Sequence, residues 1–201
     1  MRILSICGSP RKGNSEAVLN RLKQIFEKRG IENEIILLRK KNIERCDGCV
    51  EYCNKNLKCH KKDDMPEIIE KMKKADGFVF ICPNYFKMPP GMFKNFIDRC
   101  SIFYTEQYYT GKSDMKKKRA IVIVVGTDAI AAINVCLKNI VNFCKALGIP
   151  VVAKKSFRSR SELKGNYNDI FENNLNPNID KELEKMAGKL YKSLKTAEIS
   201  E

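Results

Sequence analysis

Four of the nine cysteines, Cys46, Cys49, Cys53 and Cys59, lie within the single stretch CDGCVEYCNKNLKC. Thiols at this density can form disulfides, hold a zinc ion, hold an iron-sulfur cluster or stay unmodified. Disulfides are the weakest of these for a chain of 201 residues, which can bury roughly 70% of its unfolded surface and needs no cross-link to fold. The opening MRILSICGSP is too short for a secretory leader, and no apolar stretch approaches the ~20 residues of a membrane span, so a cytoplasmic protein is expected. In that reducing compartment, clustered cysteines serve more often as metal ligands or redox groups. Zinc typically takes two tight C-x2-C knuckles, and Cys46-x2-Cys49-x3-Cys53-x5-Cys59 supplies only the first. The other cysteines, Cys7, Cys82, Cys100, Cys136 and Cys144, fall singly in apolar segments and read as small buried hydrophobes. His60, the lone histidine, reads as a solvent-facing or outer neighbour of Cys59, and Asp63 and Asp64 read as caps of the helix that follows.

Two further stretches carry chemistry. GSPRKGNSE joins an apolar strand to a helix, where exposed amide hydrogens and the helix dipole favour an anion. Ser9 and Ser15 add hydroxyls, Asn14 an amide and Arg11 a positive charge. The loop has neither the Gly-Lys-Ser/Thr ending of a triphosphate loop nor the G-x-G-x-x-G of a dinucleotide fold, so it suits a single terminal phosphate. PNYFKMPPGMFKNFIDR places Tyr85, Phe86 and Met88 on a proline-rich loop, where such side chains must be buried or stack on something flat.

The elements that must position these groups follow from the apolar pattern. RILSIC, ENEIILL, GFVFICP, AIVIVVG and IPVVAKKSF read as five strands; SEAVLNRLKQIFEKRG, MPEIIEKMKKAD, MFKNFIDRC, AIAAINVCLKNIVNFCKALG and ELEKMAGKLYKSLK read as helices. Ser101 to about Lys118 is expected to be a long connection. Strands without polar alternation, interleaved with helices, argue for a parallel sheet covered on both faces. Right-handed crossovers then give a three-layer, doubly wound α/β domain. It is expected to span residues 1–201, with a cysteine-rich insert at about 46–59 and a helical C-terminal tail. In strand order 2-1-3-4-5, the loops after strands one and three flank the switch point, so a phosphate on one and a planar ring on the other would belong to one ligand.

The formal charge of +14 is spread over Lys-rich segments that also carry carboxylates and match no nucleic-acid-binding motif. It reads as a solvated surface, and after that as a means of steering an acidic protein partner. Phe103, Tyr104, Tyr108 and Tyr109 lie on the expected long connection, where a lone monomer would expose them, and so point to a homodimer or tetramer.

Together, GSPRKGNSE, the CDGC run ending before KKDDM, and PNYFKMPPGMFKNFIDR resemble the iron-sulfur flavoproteins of the flavodoxin-like NAD(P)H-dependent FMN reductase superfamily, from residue 1 to about 148. The resemblance implies a flavodoxin-like five-stranded sheet and bound FMN. It assigns the phosphate to Ser9, Arg11, Asn14 and Ser15 with Lys12 beside them, and the ring to Pro83, Asn84, Tyr85 and Phe86, with Met88 and the loop at Gly126 and Thr127 nearby. It further implies a [4Fe-4S] cluster on Cys46, Cys49, Cys53 and Cys59, although the middle gap is one residue longer than the family's usual C-x2-C-x2-C. The implied activity is electron transfer between reduced ferredoxin or NAD(P)H and an acceptor. A cluster-free FMN or quinone reductase and a flavodoxin-like electron carrier are the alternatives.

Overall fold

The computed structural model describes residues 1–160, 169–172 and 174–199. Its strands β1 (Arg2–Cys7), β2 (Glu32–Leu37), β3 (Gly77–Pro83), β4 (Arg119–Gly126) and β5 (Val151–Arg158) pair in parallel in the order β2-β1-β3-β4-β5. This is the expected doubly wound topology, and the reason is visible in the strands. Along β3, Phe78, Phe80 and Cys82 enter one core while Val79 and Ile81 enter the other; along β4, Ala120, Val122 and Val124 alternate with Ile121, Ile123 and Val125 in the same way. A strand buried on both faces has no polar side to show.

Helices α1 (Asn14–Glu27) and α7 (Ile179–Ile199) cover one face. The other is covered by α3 (Met65–Lys74), α4 (Gly91–Arg99), α5 (Ser101–Thr110) and α6 (Ile130–Ala146), around the clustered rings of Phe80, Phe93, Phe96 and Phe143. The short helix α2 (Val50–Asn56) lies inside the cysteine segment and packs against α5.

Two expectations are corrected. The stretch from Ser101 is helical for ten residues, because Ile102 and Phe103 dock on the core and Gly111, at φ 69°, ends the turn in the left-handed region that glycine adopts freely. Phe103 is therefore buried, while Tyr104, Tyr108 and Tyr109 are exposed. Asp63 is likewise more than a cap. Its carboxylate accepts the Met65 amide hydrogen at 3.0 Å, but it also accepts two hydrogen bonds from Arg99, at 2.6 and 3.1 Å, and one from the Glu44 amide at 2.9 Å. Arg99 in turn donates to the Glu44 carbonyl. This buried pair fastens both ends of the cysteine segment, Glu44 before it and Asp63 after it, to α4. Asp64 occupies the cap position, with its carboxylate accepting the Asn42 amide hydrogen at 2.6 Å.

Candidate functional site

Because all five strands are parallel, their carboxyl ends share one edge, and the loops leaving β1, β3, β4 and β5 enclose a cleft there. Ser9, Arg11, Asn14, Ser15, Pro83, Asn84, Tyr85, Gly126, Thr127 and Ser159 line it. The cleft sits where the chain turns outward from β1 to β2 on one side and to β3 on the other, the switch point of the sheet.

The floor on the β1 side is the start of α1, which carries no side-chain cap, so its first amide hydrogens stay available to a ligand. Glu16 in this first turn would repel an anion, but Arg39 pairs with it at 2.7 Å. The loop before the helix is held by its own side chains. Ser9 Oγ donates to the Arg11 carbonyl at 2.7 Å. Asn14 is already engaged: Nδ2 donates to Asp169 at 2.6 Å, and Oδ1 accepts the Ile170 amide hydrogen at 3.0 Å. Gly8 allows β1 to run close under α4, since a Cβ there would lie 2.3 Å from Phe93 Cδ2.

The β3 side presents Asn84 and the turn after it. The Asn84 amide hydrogen goes to the Val125 carbonyl at 2.7 Å, and its Nδ2 donates to Asp128 at 2.5 Å. With the nitrogen fixed on a carboxylate, the acceptor oxygen must point the other way, and Oδ1 is buried without a partner. Such an atom calls for a donor from a ligand. Tyr85 and Met88 then exchange backbone hydrogen bonds of 2.9 Å each, forcing Phe86 and Lys87 to φ values of 50° and 66°. Left-handed geometry at two consecutive residues that bear a Cβ costs about 1 kcal/mol or more apiece and persists only when neighbours impose it. Asn139 on α6 is one such neighbour, donating to the Lys87 carbonyl at 3.2 Å. The turn holds Phe86 out with 98% of its surface exposed.

A family model described as NADPH-dependent FMN reductase matches residues 1–161. The chain belongs to that family. This reductase is an FMN-dependent oxidoreductase. An iron-sulfur flavoprotein of Archaeoglobus fulgidus is 34% identical to it over 157 residues, 77% of either chain. An iron-sulfur flavoprotein of Methanosarcina thermophila is 35% identical over 100 residues, 49% of this chain and 52% of that protein. Among solved structures, an FMN-dependent NADH-azoreductase from Bacillus anthracis in complex with FMN shares the fold, with a TM-score of 0.70 at 18% identity over 94% of this chain and 99% of that one.

Of the residues singled out in the sequence, Ser9, Arg11, Asn14, Ser15, Pro83, Asn84 and Tyr85 line the reductase's cleft. Phe86 stands on the adjoining surface with Asp128 and Lys87. Lys12 and Met88 are exposed and outside the cleft lining. Ser159 was not singled out; it reaches the site because its amide hydrogen bonds to the Gly126 carbonyl at 2.9 Å as β5 ends. Asp128 was missed as well, although an acid directly after the strand-end Gly126-Thr127 pair was a usable signal.

The cysteine segment leaves the carboxyl end of β2 at this same edge. None of the nine cysteines is in a disulfide. Cys46 is exposed, Cys49 and Cys53 have their sulfurs 3.6 Å apart, and the Cys59 thiol lies against the Arg99 guanidinium. Desolvation, then the Cys53 thiol and the Asp47 carboxylate, push the Cys49 thiol up to about 12. No helix among the described residues is long and apolar enough to cross a membrane.

Proposed function

We propose that this reductase holds FMN in the cleft at the switch point and a [4Fe-4S] cluster on Cys46, Cys49, Cys53 and Cys59, and passes electrons from NAD(P)H or reduced ferredoxin to an acceptor. The observation that carries the reading is the cleft itself, which joins an uncapped helix start on one side to an unpartnered buried acceptor, Asn84 Oδ1, on the other. Bound FMN would supply both two-electron and one-electron chemistry, and the cluster a one-electron relay.

The chain's own groups divide the remaining work. The amide hydrogens at the start of α1, with Arg11 and Ser15, bind and orient a terminal phosphate. Asn84, held by Asp128, accepts an N–H from the ring edge. Tyr85 and Phe86 offer the ring apolar surface and exclude water from it. The donor chemistry of the cysteine segment fits a cluster, with four free thiols in one lobe and a guanidinium beside Cys59. The lobe and sheet then act as a single flavodoxin-like unit.

The test is an anaerobic absorption spectrum of the purified chain, with flavin, iron and sulfide analysis. Release of FMN and not FAD on denaturation, with stoichiometric iron and sulfide, is expected. Arg11→Ala should weaken FMN binding about tenfold, as loss of one charge-assisted hydrogen bond does; unchanged affinity removes the phosphate assignment. A cluster-free NAD(P)H-dependent FMN or quinone reductase is the second reading, favoured by the extra residue between Cys49 and Cys53. Flavin without iron would select it.

A further inference from the structure

The cysteine lobe also gathers a second donor set, which shares Cys49 with the proposed cluster. The Asp47 carboxylate, the Cys49 thiol and the His60 imidazole each offer a ligand atom, and these atoms lie within 4.8 Å of one another. His60 Nε2 is 3.2 Å from Asp47 Oδ2 and 3.4 Å from Oδ1, while Cys53 Sγ, 3.6 Å from Cys49 Sγ, falls outside the set. The imidazole–carboxylate separation matches an edge of a coordination tetrahedron. With Zn–N or Zn–O near 2.0–2.1 Å, tetrahedral angles put a nitrogen and an oxygen about 3.3 Å apart.

The surroundings fit the same assignment. Lys61 Nζ holds Asp47 Oδ2 at 3.1 Å and Glu44 at 3.2 Å, which fixes the carboxylate beside the histidine. An outer partner that fixes a ligating carboxylate in this way is usual at metal sites. The edge of the Tyr52 ring packs on the His60 imidazole, 5.5 Å between centroids, and limits its rotation. Cys46, exposed, and Cys59, engaged with Arg99, stand apart from the set.

We propose that Asp47, Cys49 and His60, with solvent as the fourth ligand, bind one divalent ion of the zinc class when the chain carries no cluster. Where a cluster assembles, the two metals exclude each other, because both use Cys49. This inference goes beyond the functional reading and does not depend on it.

The full-length reductase, stripped of iron by anaerobic chelation and retaining its flavin, is titrated with Zn²⁺ and, separately, with Co²⁺. One zinc per chain and the ligand-field and thiolate charge-transfer bands of tetrahedral cobalt are expected. His60→Ala and Asp47→Ala, both at the surface, should weaken zinc binding by at least the roughly 10–100-fold that even an outer partner costs. Cys46→Ala and Cys59→Ala should leave it unchanged. Reconstitution with iron and sulfide should reverse the pattern, requiring Cys46 and Cys59 but neither His60 nor Asp47. Zinc affinity unaltered in both the His60 and Asp47 variants, loss of zinc in Cys46→Ala, or octahedral cobalt would each overturn the proposal. A wild-type chain that takes zinc as described but never assembles iron and sulfide would refute the cluster alone.

Discussion

Asp63 and Arg99 show how much of the cysteine lobe rests on one pair of side chains, exposed by 0% and 1%. Burial by itself raises the Asp63 carboxyl, but the Arg99 guanidinium and the amide hydrogens of Glu44 and Met65 outweigh it and hold the group below the ordinary carboxylate range. A depressed folded-state pKa means that the unfolded chain binds the proton more tightly. The stabilisation is therefore present above the unfolded value near ~3.9 and fades as pH falls through the folded one. Asp63→Asn leaves a buried guanidinium without its counter-charge, a change that costs on the order of 3–5 kcal/mol. Urea unfolding should show that gap at pH 7 and a progressively smaller one below about pH 4. A gap independent of pH would mean that Asp63 is not ionised in the folded protein.

At the scale of elements, the site depends on how closely the loop after β1 passes α4. Phe93 is fully buried, and a Cβ on Gly8 would come within 2.3–2.7 Å of three of its atoms, so either the loop or the helix must shift. Gly8→Ala should cost about 1–3 kcal/mol in stability, as overpacking does, and loosen FMN binding at the same time. Gly91→Ala, with open space around its Cβ position, is the matched control and should change neither. Wild-type melting and flavin affinity in Gly8→Ala would show that the close approach is not needed. The five strands and their order were legible because each carries an apolar run, unbroken from Phe78 to Cys82 in β3 and from Ala120 to Val125 in β4. Helix α5 was not, because three exposed tyrosines break the apolar period that Ile102 and Phe103 begin. The loops after β1 and β3 could be read as a site from local composition. Ser159, the Asp128–Asn84 bond and the Arg99–Asp63 pair could not, since each arises only when the parallel sheet brings together residues 33 to 44 positions apart, or more than 70 for Ser159 and the β3 loop.

For the molecule as a whole, the question is what covers its aromatic surface. Tyr104, Tyr108 and Tyr109 are exposed by 59%, 73% and 55%, and α5, which carries them, packs against α2 of the cysteine lobe. At roughly 150–250 Å² per aromatic side chain, these leave on the order of 350 Å² uncovered, already near the largest patch a monomer usually shows, before Phe86 is added. Net charge opposes the joining of two copies, because each carries +14. A homodimer or tetramer built on this face must be held by apolar contact against net repulsion, and added salt screens that repulsion within a Debye length of about 10 Å at 0.1 M. Light scattering at micromolar concentration should therefore show an oligomer that tightens as salt rises, the opposite of an ion-paired interface. Tyr104→Asp with Tyr108→Asp should yield monomers with the fold intact, since neither ring is part of the buried core. A chain that stays monomeric from low to high salt would leave the exposed tyrosines for a different partner.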